Sequence, residues 1–148
     1  MGRSSILEPI NLLASAARTA ASGSGDSASL EGIQPRPPEG LVAILDVTAA
    51  ATDAGDLLDV YLQADLNGNW VDIARFPQVL GTGGAKRHVL TIGRNLHEDG
   101  ELFEGSAALS AAGETRTLLG RNLRARFAIT DAGTDNASFT FSVDVIPQ

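Results

Sequence analysis

Residues 58–76 read LDVYLQADLNGNWVDIARF, and this stretch decides the fold. Leu58, Val60, Leu62 and Ala64 recur at every second position. That is the period of a half-buried strand, because successive strand side chains point to opposite faces. Asn67-Gly68-Asn69 interrupts the run, and since Asn and Gly reach positive φ at low cost, the trio signals a hairpin. Trp70 to Phe76 then returns as the partner strand.

The same period extends outward from the hairpin. Leu41 to Thr48 reads as a buried strand, and His88 to Ile92 as another, entered from the glycine-rich turn Gly81-Thr82-Gly83-Gly84. Between Arg121 and Thr130, Leu123, Ala125, Phe127 and Ile129 face one way while Arg124, Arg126 and Ala128 face the other. Ser138 to Ile146 repeats the pattern with Phe139, Phe141, Val143 and Val145 on one face. Parallel strands need long crossovers, usually helices, and no helical period separates these strands. The expected fold is all-β: an antiparallel β-sandwich, jelly-roll or Ig-like, with an extended N-terminal arm.

Composition narrows the function. The chain has 148 residues, no cysteine, 11 basic against 18 acidic residues and a formal net charge of −7. The absence of cysteine removes disulfides, thiolate metal sites and thiol catalysis. The negative field opposes nucleic acid and anionic membranes as partners. Two histidines and one lysine are a thin catalytic inventory.

A compositional shift near residue 40 predicts two parts, an arm and linker over 1–40 and the sandwich over 41–148. In the arm, Ile6, Leu7, Ile10, Leu13, Ala14 and Ala17 fall three and four apart, which predicts a short helix with Pro9 in its first turn. Glu8, Pro9 and Asn11 break the apolar run that a signal peptide would need. Ala21 to Ser29 reads as a flexible tether. Pro35, Pro37 and Pro38 make the following run extended and semi-rigid. Residues 94–116 hold no strand-length alternation and read as a long loop insertion, of the kind that is usually functional.

Sites with chemistry are sought and mostly not found. Gly81 to Arg87 resembles a phosphate loop, but Ala85 precedes Lys86 and a strand follows, so a tight turn between strands is expected. Asp65-Leu66-Asn67-Gly68-Asn69 has the alternate oxygens of a calcium loop, but Trp70 and Phe76 stand where glycine and a carboxylate are needed. His97 lies beside Glu98, Asp99 and Glu101, an arrangement that an acid/base or metal site could use. No second histidine sits at helical spacing, and solvated loop charges are the expectation. Arg121, Arg124 and Arg126 form a basic stripe without interleaved aromatics, which predicts a salt-bridged sheet face opposite Asp59, Asp65 or Asp72. Trp70 and Tyr61 would make a sugar-stacking platform only if both rings were exposed on one face. No catalytic residue, cofactor or metal is expected.

The strand order, carried by LDVYLQADLNGNWVDIARF and by RARFAIT followed by ASFTFSVDVIP, resembles small β-sandwich structural proteins of tailed bacteriophages. The resemblance covers about residues 41–148; the arm and the 94–116 loop depart from it. It implies a virion protein, made in the bacterial host cytoplasm, that decorates or cements the capsid as a minor capsid protein. The partners so implied are the major capsid protein and other copies of the chain, with a trimer favoured by closed symmetry at capsid axes. Ile6, Leu7, Ile10 and Leu13 are then the candidate attachment residues. Glu98, Asp99, Glu101, Phe103 and Glu104 are the candidate loop contacts. A carbohydrate-binding sandwich and a tail or head–tail connector component are the alternatives.

Overall fold

A computed structural model describes residues 8–19, 21–30, 40–51, 53–93, 109, 122–133 and 136–148. Ten strands occur among them: β1 (Ile10–Arg18), β2 (Ser22–Ser24), β3 (Ala28–Ser29), β4 (Gly40–Ala49), β5 (Leu57–Leu66), β6 (Asn69–Arg75), β7 (Val79–Leu80), β8 (Lys86–Gly93), β9 (Asn122–Thr130) and β10 (Phe139–Pro147). One sheet has the order β1-β10-β4-β8. The other has the order β2-β9-β5-β6, with β3 also on β9 and β7 also on β5. Every pairing is antiparallel. The all-β antiparallel sandwich expected from the alternation is therefore the architecture.

Alternation builds the core. Leu41, Ala43, Leu45 and Val47 of β4 and Phe139, Phe141, Val143 and Val145 of β10 turn inward from the first sheet. Leu58, Val60, Leu62 and Ala64 of β5 and Leu123, Ala125, Phe127 and Ile129 of β9 meet them from the second. Phe127 and Phe141 join the layers edge to face, 5.5 Å apart between centroids at 77°, a geometry that sets the positive edge of one ring against the negative face of the other. The β5–β6 hairpin turns through Asn67 (φ 54°) and Gly68 (φ 87°), the primed turn that matches strand twist.

The N-terminal stretch is extended, but it is neither a helix nor a separate tether. β1 pairs with β10 from Ile10↔Val145 to Arg18↔Phe139, with register shifts on both sides of Leu13. Those bulges let the adjacent Leu12 and Leu13 both enter the core, and the broken alternation mimics helical spacing. A helix of this length is marginal alone, whereas pairing with β10 bonds the backbone groups on one side of the strand. The Gly/Ser run is likewise structural: β2 pairs Gly23 with Phe127, and β3 pairs Ala28 with Leu123. The boundary expected at residue 40 thus does not separate arm from sandwich over residues 10–29.

Glycine is required here for close approach. A Cβ on Gly25 would collide with the Leu12 carbonyl oxygen, and one on Gly23 with the Phe127 ring at 2.8 Å. Gly25→Ala is expected to destabilise the fold by about 1–3 kcal/mol, because the obstacle is backbone and cannot rotate away. A shift in the urea midpoint at unchanged slope is the measurement.

Candidate functional site

The second sheet's outer face carries the densest array of charge among the described residues. Its geometry follows from register. Tyr61 of β5 lies between Arg126 of β9 and Arg75 of β6, and Gln63 lies between Arg124 and Asp72. A register shift between Leu62 and Gln63 sends both Ile73 and Ala74 into the core and returns Asp72 to the outer face.

Asp72 is the hub. Arg126 donates to its carboxylate through Nε (3.0 Å to Oδ1) and Nη2 (2.7 Å to Oδ2), a two-point clamp that fits the guanidinium fork. Gln63 Nε2 donates to Oδ1 at 2.9 Å, and the Leu109 amide to Oδ2 at 3.3 Å. Burial alone would raise the Asp72 pKa. The hydrogen bonds from Arg126 and Gln63, the Arg126 charge and the Leu109 amide outweigh it and hold the carboxyl below its ordinary value. Arg124 Nε closes the chain on Gln63 Oε1 at 2.8 Å.

A second pair stands beside it. Arg75 Nη2 donates to Asp59 Oδ1 at 2.8 Å, and Gln78 Nε2 reaches both oxygens of that carboxylate. The hydrogen bond to Asp59 raises the Arg75 pKa. Arg75 Nη1 also donates to the Leu109 carbonyl at 3.2 Å. Leu109, 2% exposed, is therefore held by its amide on Asp72 and by its carbonyl on Arg75.

Both aromatic rings of this face are engaged by cations. The Arg126 guanidinium lies 3.7 Å from the Tyr61 centroid and that of Arg75 5.4 Å, while Arg124 lies 4.4 Å from the Trp70 centroid. Tyr61 is buried and Trp70 half-buried, so a platform of two exposed rings is not formed. The face forms the ion pairs that arginines opposite Asp59 and Asp72 predict, Arg75 with Asp59 and Arg126 with Asp72, while Arg124 bonds the neutral Gln63. Its groups hydrogen-bond one another across β9, β5 and β6, which ties the three strands together on their outer face.

The remaining sequence candidates are placed as follows. Asp65 Oδ1 accepts from the Gly68 amide at 2.8 Å, so the calcium-like loop is a hairpin turn braced by its own aspartate. Gly81 to Gly84 connects β7 to β8 as a turn, with the Gly81 amide on the Asp56 carbonyl. Ile6, Leu7, His97, Glu98, Asp99, Glu101, Phe103, Glu104 and Arg121 of the basic stripe lie outside the described residues. Leu13 is 6% exposed and Ile10 packs against the core, so these two serve the chain's own interior instead of offering an apolar anchor to another protein.

A hollow of about 240 Å³ is lined by Asp53, Asp56, Asn136, Ser138 and Thr140 among others. Asp56 Oδ1 accepts there from the Ala132 amide at 2.9 Å, which braces the loop after β9. No group of three or more His, Cys, Asp or Glu able to hold a metal ion occurs among the described residues.

The first sheet's outer face is different. Ile44 pairs with Val89 and Val42 with Ile146, giving a patch of four branched apolar side chains across three strands. Val89 is 57% exposed, and the other three are half-buried. Sequence reasoning passed over this patch because each member alternates with a core residue and was counted with its strand. Comparison of the chain with protein-family models, with curated proteins and with solved structures finds no match.

Proposed function

We propose that this chain is a structural protein of a tailed-bacteriophage virion, a β-sandwich that binds the capsid surface as a decoration or minor capsid protein. Its partners on this reading are the major capsid protein and further copies of itself. It would be made in the host cytoplasm and reside in the virion. The observation that carries the reading is the contrast between the two outer faces. The charged face is occupied with itself, whereas the face bearing Val42, Ile44, Val89 and Ile146 keeps apolar area that gains free energy only when another surface covers it. Surface burial is what a cementing protein contributes, and an exposed apolar sheet face supplies it. The attachment surface is thus assigned to this sheet face and no longer to Ile10 and Leu13.

Co-sedimentation with undecorated tailed-phage capsids tests the reading. The native chain is expected to pellet with the particles. Ile44→Asp should weaken that binding by about 10-fold or more, as loss of a central apolar contact does. Leu80→Asp, at an exposed apolar residue of the other sheet, should leave it unchanged. A native chain that stays in the supernatant overturns the proposal.

A further inference from the structure

The four sheet edges are not equally protected. β1 carries two register shifts, which bend an edge away from a neighbour. β2 and β3 are three and two residues long. β6 has a register shift against β5 and carries Asp72 and Arg75. β8 is neither short nor shifted: its eight residues pair with β4 in continuous register, from Gly40↔Gly93 to Val47↔Lys86. Among the described residues no strand pairs with its other side. Lys86 and Arg87 guard only its first two positions, and His88-Val89-Leu90-Thr91-Ile92 carries no carboxylate, lysine or arginine. A long, flat, apolar edge is a template for another strand.

We propose that β8 pairs antiparallel with β8 of a second copy about a two-fold axis at Val89, joining two four-stranded sheets into one of eight strands. This deepens the assembly reading, on which it rests, by naming the surface through which copies meet. The occupant follows from the strand's self-complementarity. A two-fold perpendicular to the sheet keeps outward residues opposite outward residues, so the paired positions must share parity. With Val89 at the axis, Arg87 faces Thr91, His88 faces Leu90 and Lys86 faces Ile92. The cations of the two copies therefore stand at opposite ends, and no like charges oppose each other. Val89 meets Val89, and the apolar row Ile44–Val89 becomes continuous with its counterpart in the second copy. The interaction is isologous and closes at two copies, unlike the threefold assembly expected from capsid axes.

Edge pairing alone buries less than a standard interface, so a dissociation constant on the order of micromolar is expected in solution. On a particle, high local concentration would complete it. The native protein's lack of cysteine makes the register directly testable in the full chain. Val89→Cys is expected to cross-link to itself under mild oxidation, because directly opposed antiparallel residues lie within disulfide reach. Leu80→Cys should not. Sedimentation equilibrium of the native chain should show a monomer–dimer equilibrium. Val89→Lys should weaken dimerisation at least about 10-fold, with a circular dichroism melt confirming that the variant is folded, and Leu80→Lys should not weaken it.

A native chain that is monomeric throughout, a trimer, a dimer indifferent to Val89→Lys, or equal cross-linking at Leu80→Cys overturns the proposal. All of these readouts are made without capsids. Failure of the chain to pellet with particles would overturn the virion reading and leave a measured β8 dimer standing.

Discussion

A chain lacking residues 1–30 is expected to lose cooperative folding. Deletion removes Leu12, Leu13 and Leu30 from the core, each no more than 7% exposed. It also uncovers the β10 edge along nine positions of β1, and the side of β9 held by β2 and β3. Arg18 goes with them. Its guanidinium lies 4.6 Å from the Phe141 centroid and 5.9 Å from that of Phe127, and donates to the Phe141 carbonyl at 2.6 Å. Truncating one buried leucine costs roughly 2–5 kcal/mol. Three such losses are comparable with the roughly 5–15 kcal/mol by which a whole domain is stable. Loss of a sigmoidal urea transition, with dye binding to exposed apolar surface, is the expected result. A truncated chain that unfolds cooperatively at the native midpoint would show that the N-terminal strands are dispensable.

Asp72→Ala is the second large effect. The carboxylate accepts four hydrogen bonds in a site where its side chain is 3% exposed. Removing it strands the Arg126 charge, the Gln63 amide and the Leu109 amide together. Breaking a buried pair from one side costs about 3–5 kcal/mol, and the 26% exposure of the Arg126 side chain puts this loss at or below the lower end of that range. Asp72→Asn keeps an acceptor and the shape and should cost less. Asp46→Ala, which breaks the exposed pair with Arg87 at 3.2 Å, should change stability little, since solvent already screens that pair.

Acid should reproduce part of the Asp72 effect. The folded pKa lies below that of the unfolded chain, so the unfolded state binds more protons as pH falls. The carboxylate's contribution is therefore complete above the unfolded value of about 4 and is lost as pH falls through the folded value. Urea midpoints measured from neutral pH downward should show this loss in the native chain. The corresponding component should be missing in Asp72→Asn.

Much of this architecture is legible in the order of residues. β4, β5, β8, β9 and β10 follow from a period of two, and β6 from the Asn67-Gly68 turn that returns the chain, since its own alternation is broken at Ile73 and Ala74. The Arg124/Arg126 stripe finds Gln63 and Asp72 because parity puts all four on one face. The N-terminal strands escape the same reasoning for a physical cause. β1 sits at a sheet edge, where bulges are tolerated, and Leu12-Leu13 replaces alternation by a pair. β2 is glycine and serine because Phe127 leaves no room above Gly23, and composition alone reads such a strand as a tether. Leu109 was missed because it acts through its backbone amide and carbonyl, which every residue carries, so no side-chain pattern announces it.

The strand order also sets a timetable. The chain changes sheet between β1 and β2, β3 and β4, β4 and β5, β7 and β8, β8 and β9, and β9 and β10. Among the described residues, β5–β6 is the one pair of sequence-adjacent long strands joined by a tight turn in the same sheet. Nearly every other partnership must wait for chain not yet made. During synthesis β1 emerges more than 100 residues before β10, yet they are neighbours. The ribosome thus releases Leu12 and Leu13 long before Val143 and Val145 exist to receive them. Such non-local closure is slow, and in the interval the apolar residues of the early strands stay exposed to water and to other chains.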